Sequence, residues 1–251
     1  MMNFVQFFFS TSFFYKIFKI TVKIISFTIF PLLFLSIYYA LFNSPIDYQQ
    51  KEYVRIMYIH VPSAWMSLMI FAFIGICSLI NFIWNLKTPF LAAMAVSKIG
   101  AMFTFITLLS GSLWGRPIWG VWWVWDARLT SMLILFLSYV GYIVINKNGF
   151  EYGDINRAQK PASLFAIISC INIPIVKYSV NLWYSLHQTS SISFTQINKS
   201  SISVDMMKPL FMMWLSFILY SILFSFIEFK TLLNIVKIKR QNDLFTRSDI
   251  R

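Results

Sequence analysis

Charge is what this sequence lacks most. Of 251 residues only 12% are charged, and just nine are Asp or Glu. Soluble domains carry about 25% charged residues, so an ordinary soluble fold is excluded. Histidine is scarcer still, with two in the chain, His60 and His187. The two cysteines, Cys77 and Cys170, each lie inside an apolar run, with no C-x-x-C and no C-x-x-C-H. Neither a thioredoxin-like redox motif nor thiol attachment of a prosthetic group is available. Isolated cysteines in such runs act as small packing residues. There is no G-x-x-x-x-G-K-[ST] loop, so no nucleotide hydrolysis by that route. Internal repeats and low-complexity linkers are also missing. Few ionisable groups fall deep within the apolar runs. Lys98 is the clear case, without an obvious acidic partner, whereas an ion or proton transporter needs such groups in pairs.

What is abundant is hydrophobicity, at 58% of residues, with a mean hydropathy of +0.68. A helical crossing of the hydrocarbon core takes about 20 predominantly apolar residues. Six runs qualify: Ile20–Phe42, Pro62–Trp84, Phe90–Leu113, Leu129–Ile145, Pro161–Tyr178 and Met206–Phe229. Runs such as Leu129–Ile145 do not alternate, which excludes a membrane β-barrel. In lipid each segment must pair its own backbone polar groups, so these spans are expected to be helices. The fold class is therefore all-α, a polytopic membrane helical bundle of about six transmembrane helices. The fourth and fifth spans are short, and Pro31, Pro174 and Pro209 are expected to kink or end helices locally. Residues 1–19 read as an interfacial lead-in rather than a targeting peptide. Residues 20–229 form the membrane domain, and 230–251 a basic tail.

The net charge of +12 invites a nucleic-acid reading, but the basic residues are scattered over loops and tail. They read better as topology signals. Thirteen lysines and arginines fall on the side of the termini and the even-numbered connections. Five (Lys51, Arg55, Arg116, Arg128, Lys199) fall on the other side. Both termini are then expected in a cytoplasm or matrix. The outward connections are residues 43–61, 114–128 and 179–205.

Those outward connections hold the unusual residues. Five of the nine tryptophans, Trp114, Trp119, Trp122, Trp123 and Trp125, lie within twelve residues of the second. His60 closes the first and His187 lies in the third. Trp119, Trp122, Trp123 and Asp126 are spaced i, i+3, i+4, i+7, so a helix would align them. Gly115, Pro117 and Gly120 argue against regular helix in the first half of the stretch. An aromatic belt is the bland explanation, but a belt scatters one or two such residues per helix end. A stacking floor for a flat apolar ligand explains the concentration better. Two lone imidazoles on the same side suit axial ligation of haem iron, completing six-coordination. Arg116 and Arg128, and less so Arg55, could meet the propionates as a two-point fork. Arg128 could instead pair with Asp126. Capping of the fourth span is the favoured role for Asp126.

The segment WGVWWVWDARLTS resembles the tryptophan-rich WWD signature of haem-handling membrane proteins. The pieces YIHVPSAWMS and PIVKYSVNLWYSLHQ narrow the resemblance to the cytochrome c maturation protein C family, also called haem exporter protein C. It runs from about Tyr53 to about Gln188. It implies that His60 and His187 are the axial ligands of transiently bound haem b. Trp114, Trp119, Trp122, Trp123, Trp125 and Asp126 would fill the WWD role. It further implies delivery of haem to a haem chaperone, maturation protein E, in company with ABC-type maturation proteins A and B and often a small protein D. The expected activity is cargo binding and transfer, not enzymatic turnover. The alternatives are a permease or structural subunit of an ABC-type haem export complex. The family occurs in bacterial and mitochondrial inner membranes. The 27 phenylalanines lean toward a mitochondrial origin.

Overall fold

The computed structural model describes residues 11–151, 155–187 and 202–248. The helices are α1 (Thr11–Tyr38), α2 (Met57–Trp84), α3 (Lys87–Trp119), α4 (Ala127–Glu151), α5 (Ile155–Ser169), α6 (Asn172–Leu182) and α7 (Val204–Ser248). A π-turn (Tyr39–Asn43) extends α1, and a 3-10 turn (Glu52–Ile56) leads into α2. Among the described residues six segments are long and apolar enough to cross a membrane: Ile20–Asn43, Glu52–Trp84, Lys87–Trp119, Ala127–Asn148, Ala158–Leu182 and Val204–Lys239. The chain is a multi-pass helical membrane protein, and each expected run is present with longer ends. Lys199 and much of the third outward connection lie outside the described residues.

The prolines act unequally. α1 runs through Pro31, and α7 runs through Pro209 near its start. Pro174 is different, because the fifth span breaks into α5 and α6 at Cys170–Ile171. A proline lacks the N–H that would reach the carbonyl four residues back, and its ring crowds that carbonyl. That carbonyl belongs to Cys170, which instead accepts from the Ile173 N–H at 3.0 Å.

The second outward connection departs from expectation. α3 passes through Gly115 and Pro117 and stops only after Trp119. Gly120 then adopts φ +79°, and its N–H returns to the Arg116 carbonyl at 3.1 Å. This left-handed residue is the usual glycine helix stop. Trp114 and Trp119 are therefore helical, whereas Trp122, Trp123 and Trp125 lie in an irregular segment before α4. The single helical face of Trp119, Trp122, Trp123 and Asp126 does not form, because Gly120 interrupts it.

The α2–α3 hairpin forms the middle of the bundle, with α1 and α7 paired on one side and α4, α5 and α6 on the other. Lipid gives helices no hydrophobic reason to associate, so packing and interhelical hydrogen bonds carry the assembly. Phe71 and Tyr139 meet edge to face at 4.8 Å, and the Tyr139 hydroxyl donates to the Ser67 carbonyl at 2.7 Å. At the other end Asn81 donates to the Leu86 carbonyl (2.8 Å) and accepts from Ser163 (2.9 Å). Such bonds are worth about 0.6–2 kcal/mol each in a bilayer. Lys98 has an acidic partner after all: its Nζ lies 2.5 Å from Glu228 on α7. The two are 130 positions apart, which hid the pair from local reading.

The end of the bundle that carries the first connection has its own apolar cluster of Ala40, Val54, Met57, Tyr58, Met206 and Leu210. It seats the first connection against the starts of α2 and α7. Arg55 locks this corner, donating to the Ala40 carbonyl and the Ser44 hydroxyl, both at 2.8 Å, and pairing with Glu52 at 2.5 Å.

Candidate functional site

His60 is the fourth residue of α2 rather than the end of a loop. α2 starts early because the 3-10 turn feeds straight into it. The ring lies against α3, where Nδ1 is 3.1 Å from the Ser110 hydroxyl oxygen. Ser110 donates its own proton back to the Ile106 carbonyl at 2.6 Å. It is therefore left as an acceptor, and His60 Nδ1 must carry the proton. Gly111 makes the room, since a Cβ there would sit 3.0 Å from His60 Cε1. Trp114, one turn further, meets the ring edge-on at 5.6 Å. The Trp114 indole N–H donates to Gln50 Oε1 at 3.0 Å. Gln50 is held in turn by Asp47, which accepts its backbone N–H at 2.7 Å.

His187 arrives by a different route. α6 ends at Leu182, Trp183 is extended, and the chain continues irregularly to His187. His187 packs edge-on against Trp119 at 4.8 Å. Its Nδ1 lies 3.4 Å from Asp126 Oδ2 and 3.5 Å from the Ser185 hydroxyl oxygen. Ser185 donates to Asp126 Oδ2 and accepts the His187 backbone N–H at 3.1 Å. Both neighbours of Nδ1 are acceptors, so this ring too carries its proton there and leaves Nε2 bare. Burial lowers the His187 pKa, and Arg128 adds to the lowering, while Asp126 opposes it without restoring the ordinary value. The neutral ring is favoured.

Asp126 does two jobs that the sequence presented as rivals. Its Oδ1 accepts the Leu129 N–H at 2.8 Å, the N-cap of α4. Its Oδ2 serves Ser185 and His187. Burial pushes the Asp126 carboxyl up. The Leu129 N–H, the Ser185 hydroxyl and His187 outweigh burial and hold it below the ordinary carboxylate value.

The tryptophans divide. Trp114 and Trp119 contact the two histidines. Trp123 and Trp125 form an edge-to-face pair at 5.4 Å. Trp122 and Trp125 are exposed, at 56% and 75%. The Trp123 indole N–H is buried without a partner among the described residues. The three arginines also separate. Arg55 is engaged by Glu52, Ser44 and Ala40, and Arg116 donates to the Gly120 carbonyl at the end of its own helix. Arg128 is half-buried at the start of α4 and makes no ion pair among the described residues, with Asp126 or otherwise. Its charge bears on both histidines. A separate cleft of about 550 Å³ is lined by Tyr53, Ile56, Leu113, Arg116, Pro117 and Trp122, and neither histidine borders it.

Sequence reasoning missed Ser110, Gly111, Ser185 and Gln50. Ser110 stands one turn before Trp114 and Ser185 two residues before His187, which was the available signal. Gln50 gave none.

The comparisons bear on the family. A family model described as Heme exporter protein C matches residues 4–244. The chain belongs to the haem exporter protein C family. It is 44% identical to Heme exporter protein C of Bradyrhizobium diazoefficiens over 176 residues, 70% of this chain. It spans 65% of that relative's length. It is 38% identical to the Haemophilus influenzae protein of the same name, over 79% of each chain. It is also 42% identical to a ccmC-like mitochondrial protein of cytochrome c biosynthesis from Marchantia polymorpha, over 77% of this chain and 80% of that one. Family membership thus embraces bacterial and mitochondrial relatives, and the matched region takes in all six spans and both histidines.

Proposed function

We propose that this chain binds haem at the outward end of its bundle and hands it on for cytochrome c maturation. The haem is cargo, held transiently and not turned over. The observation that carries the reading is the pair of histidines whose Nδ1 atoms face acceptors, leaving both Nε2 atoms free as metal donors. Trp114 and Trp119 flank the two rings and give a flat apolar cargo aromatic walls. Arg128, half-buried and without an ion pair among the described residues, fits a propionate better than Arg116 or Arg55. The partnerless Trp123 N–H is a second donor for an anionic edge. The exposed Trp122 and Trp125 suit the membrane–water boundary, where a partner would take the cargo. The partners are a haem chaperone of the maturation protein E type and an ABC-type complex of proteins A and B, often with small protein D. The excess of Lys and Arg on the side of the termini supports a cytoplasmic or matrix location for both. The membrane is an inner one, with a mitochondrial origin slightly favoured over a bacterial one.

The test is the absorption spectrum of the detergent-purified protein, oxidised and reduced, for wild type, His60→Ala, His187→Ala and the double variant. A low-spin six-coordinate spectrum lost or altered in each single variant is the expected result. Stoichiometric haem untouched by either change would move the ligands elsewhere. No haem with chaperone and ABC partners co-expressed would favour a scaffold subunit.

A further inference from the structure

The two imidazoles share a tautomer but not a partner. Behind His60 stand the Ser110 hydroxyl, fixed in place by donating to the Ile106 carbonyl, and the Thr107 backbone carbonyl. Neither carries a charge, so both pull less on the Nδ1 proton than a carboxylate does. Behind His187 stands a carboxylate, anchored by the Leu129 N–H and by Ser185. A carboxylate that takes hold of one ring N–H raises the basicity of the opposite nitrogen.

We propose that Ser110 and Asp126 are positioning residues of unequal strength, which make His187 the stronger axial donor and His60 the ligand that leaves first when the cargo is handed on. The inference rests on the haem-binding reading above and goes beyond it to the order of release. Leaving is a ligand exchange. The bond from iron to His60 Nε2 opens, the ring keeps its lone pair, and an incoming donor takes the vacated position. No electron changes hands.

His60 also has the poorer means of following a departing cargo. Its ring is pinned between Ser110, Gly111 and Trp114 on a continuous helix. His187 sits on an irregular segment beyond the end of α6, which imposes no such register. A displacement of the cargo therefore stretches the His60 bond first.

The experiment uses the full-length protein in detergent, loaded with haem b, with carbon monoxide as the probe for the displaced ligand in the reduced state. The expected wild-type carbon monoxide adduct has the spectrum and Fe–C–O vibrations of the His60→Ala adduct, and differs from that of His187→Ala. Asp126→Asn keeps an N-cap of equal quality, so the fold is retained. It is expected to raise the haem midpoint potential and to shift the Fe–C–O vibrations. Ser110→Ala is expected to leave the potential unaltered and to speed carbon monoxide binding several-fold. A wild-type adduct matching His187→Ala, or an Asp126→Asn potential equal to wild type, would overturn the order of release while leaving the haem reading intact. Absence of a low-spin bis-histidine spectrum in the wild type would overturn both.

Discussion

His60 and His187 reach the same end of the molecule by opposite means. The His60 corner is made of helix: the ring projects from α2 onto α3 and is spaced by Gly111, Ser110 and Trp114 at helical intervals. The His187 corner is made of chain ends: the stop of α6, the start of α4 and the irregular segments between them. Its order comes from hydrogen bonds, with Asp126, Ser185 and His187 tied into one knot. A helix places a ligand by steric register, whereas a loop must place it by polar contacts. The two corners should therefore fail in different ways when perturbed.

The largest effect is expected from steric insult to the helical corner. In Gly111→Leu the new Cβ would lie 3.0 Å from His60 Cε1, and the rest of the side chain would displace the ring. Haem content measured by pyridine haemochrome should fall tenfold or more, on the order of what loss of metal-site support costs. The same change at Gly115 presses on Trp119 instead and should leave His60 ligation in the spectrum.

Next comes loss of the carboxylate at the polar corner. Asp126→Ala removes both the cap and the partner of His187. The cap should cost about 1 kcal/mol in thermal or denaturant unfolding, and haem affinity should fall about 10- to 100-fold. Asp126→Asn should spare the unfolding, because the cap is kept, while showing the spectroscopic changes that follow loss of the carboxylate. Acidification should mimic the loss in haem-free protein. Asp126 is held below its ordinary value, so its contribution is complete above about pH 4 and fades as pH falls through the lowered value. His187 is held below its ordinary value too, so the neutral ring loses ground as pH falls below about 6.5. Both losses lie on the acid side. The midpoint of thermal unfolding should drop on acidification, and between about pH 6.5 and pH 4 it should drop more in Asp126→Asn, which removes the carboxylate that opposes the lowering at His187.

Arg128→Gln should weaken haem binding by about tenfold, consistent with loss of a charge-assisted hydrogen bond of about 1.5–3 kcal/mol. The low-spin spectrum should persist. Arg55→Gln should lower stability without that effect on affinity, because its partners are Glu52, Ser44 and Ala40. The smallest change is expected from Gln50→Ala. It frees the Trp114 N–H at a cost of about 1 kcal/mol, read as a modest loss of haem affinity with His60 still ligated.

The six spans were legible because hydropathy over some twenty residues is a sum that local detail cannot disguise. The cap at Asp126 was legible because it acts on the helix directly after it. The extent of α3 was not. Gly115 and Pro117 read as breakers, yet an end is where a helix can give up a backbone bond, and the stop was set by Gly120 alone. The partners of the histidines were hidden for another reason. Ser110 is 50 positions from His60 and Asp126 is 61 from His187, and a hydroxyl or carboxylate on the right face has no sequence signature. Lys98 and Glu228 teach the same lesson from the opposite end of the bundle.

The break at Cys170–Ile171 has a mechanical consequence. It leaves α6 as a free-standing rod of eleven residues, about 16 Å at the helical rise, or half the thickness of the hydrocarbon layer. That rod lies along α4 and only brushes α2, and Asn172 bolts it to α4 through the Ser131 carbonyl at 2.8 Å. The jaw that carries His187 is thus hung from α4, while the jaw that carries His60 is welded to α3. A metal held between them would be the rivet of a hinge whose two leaves belong to different parts of the bundle.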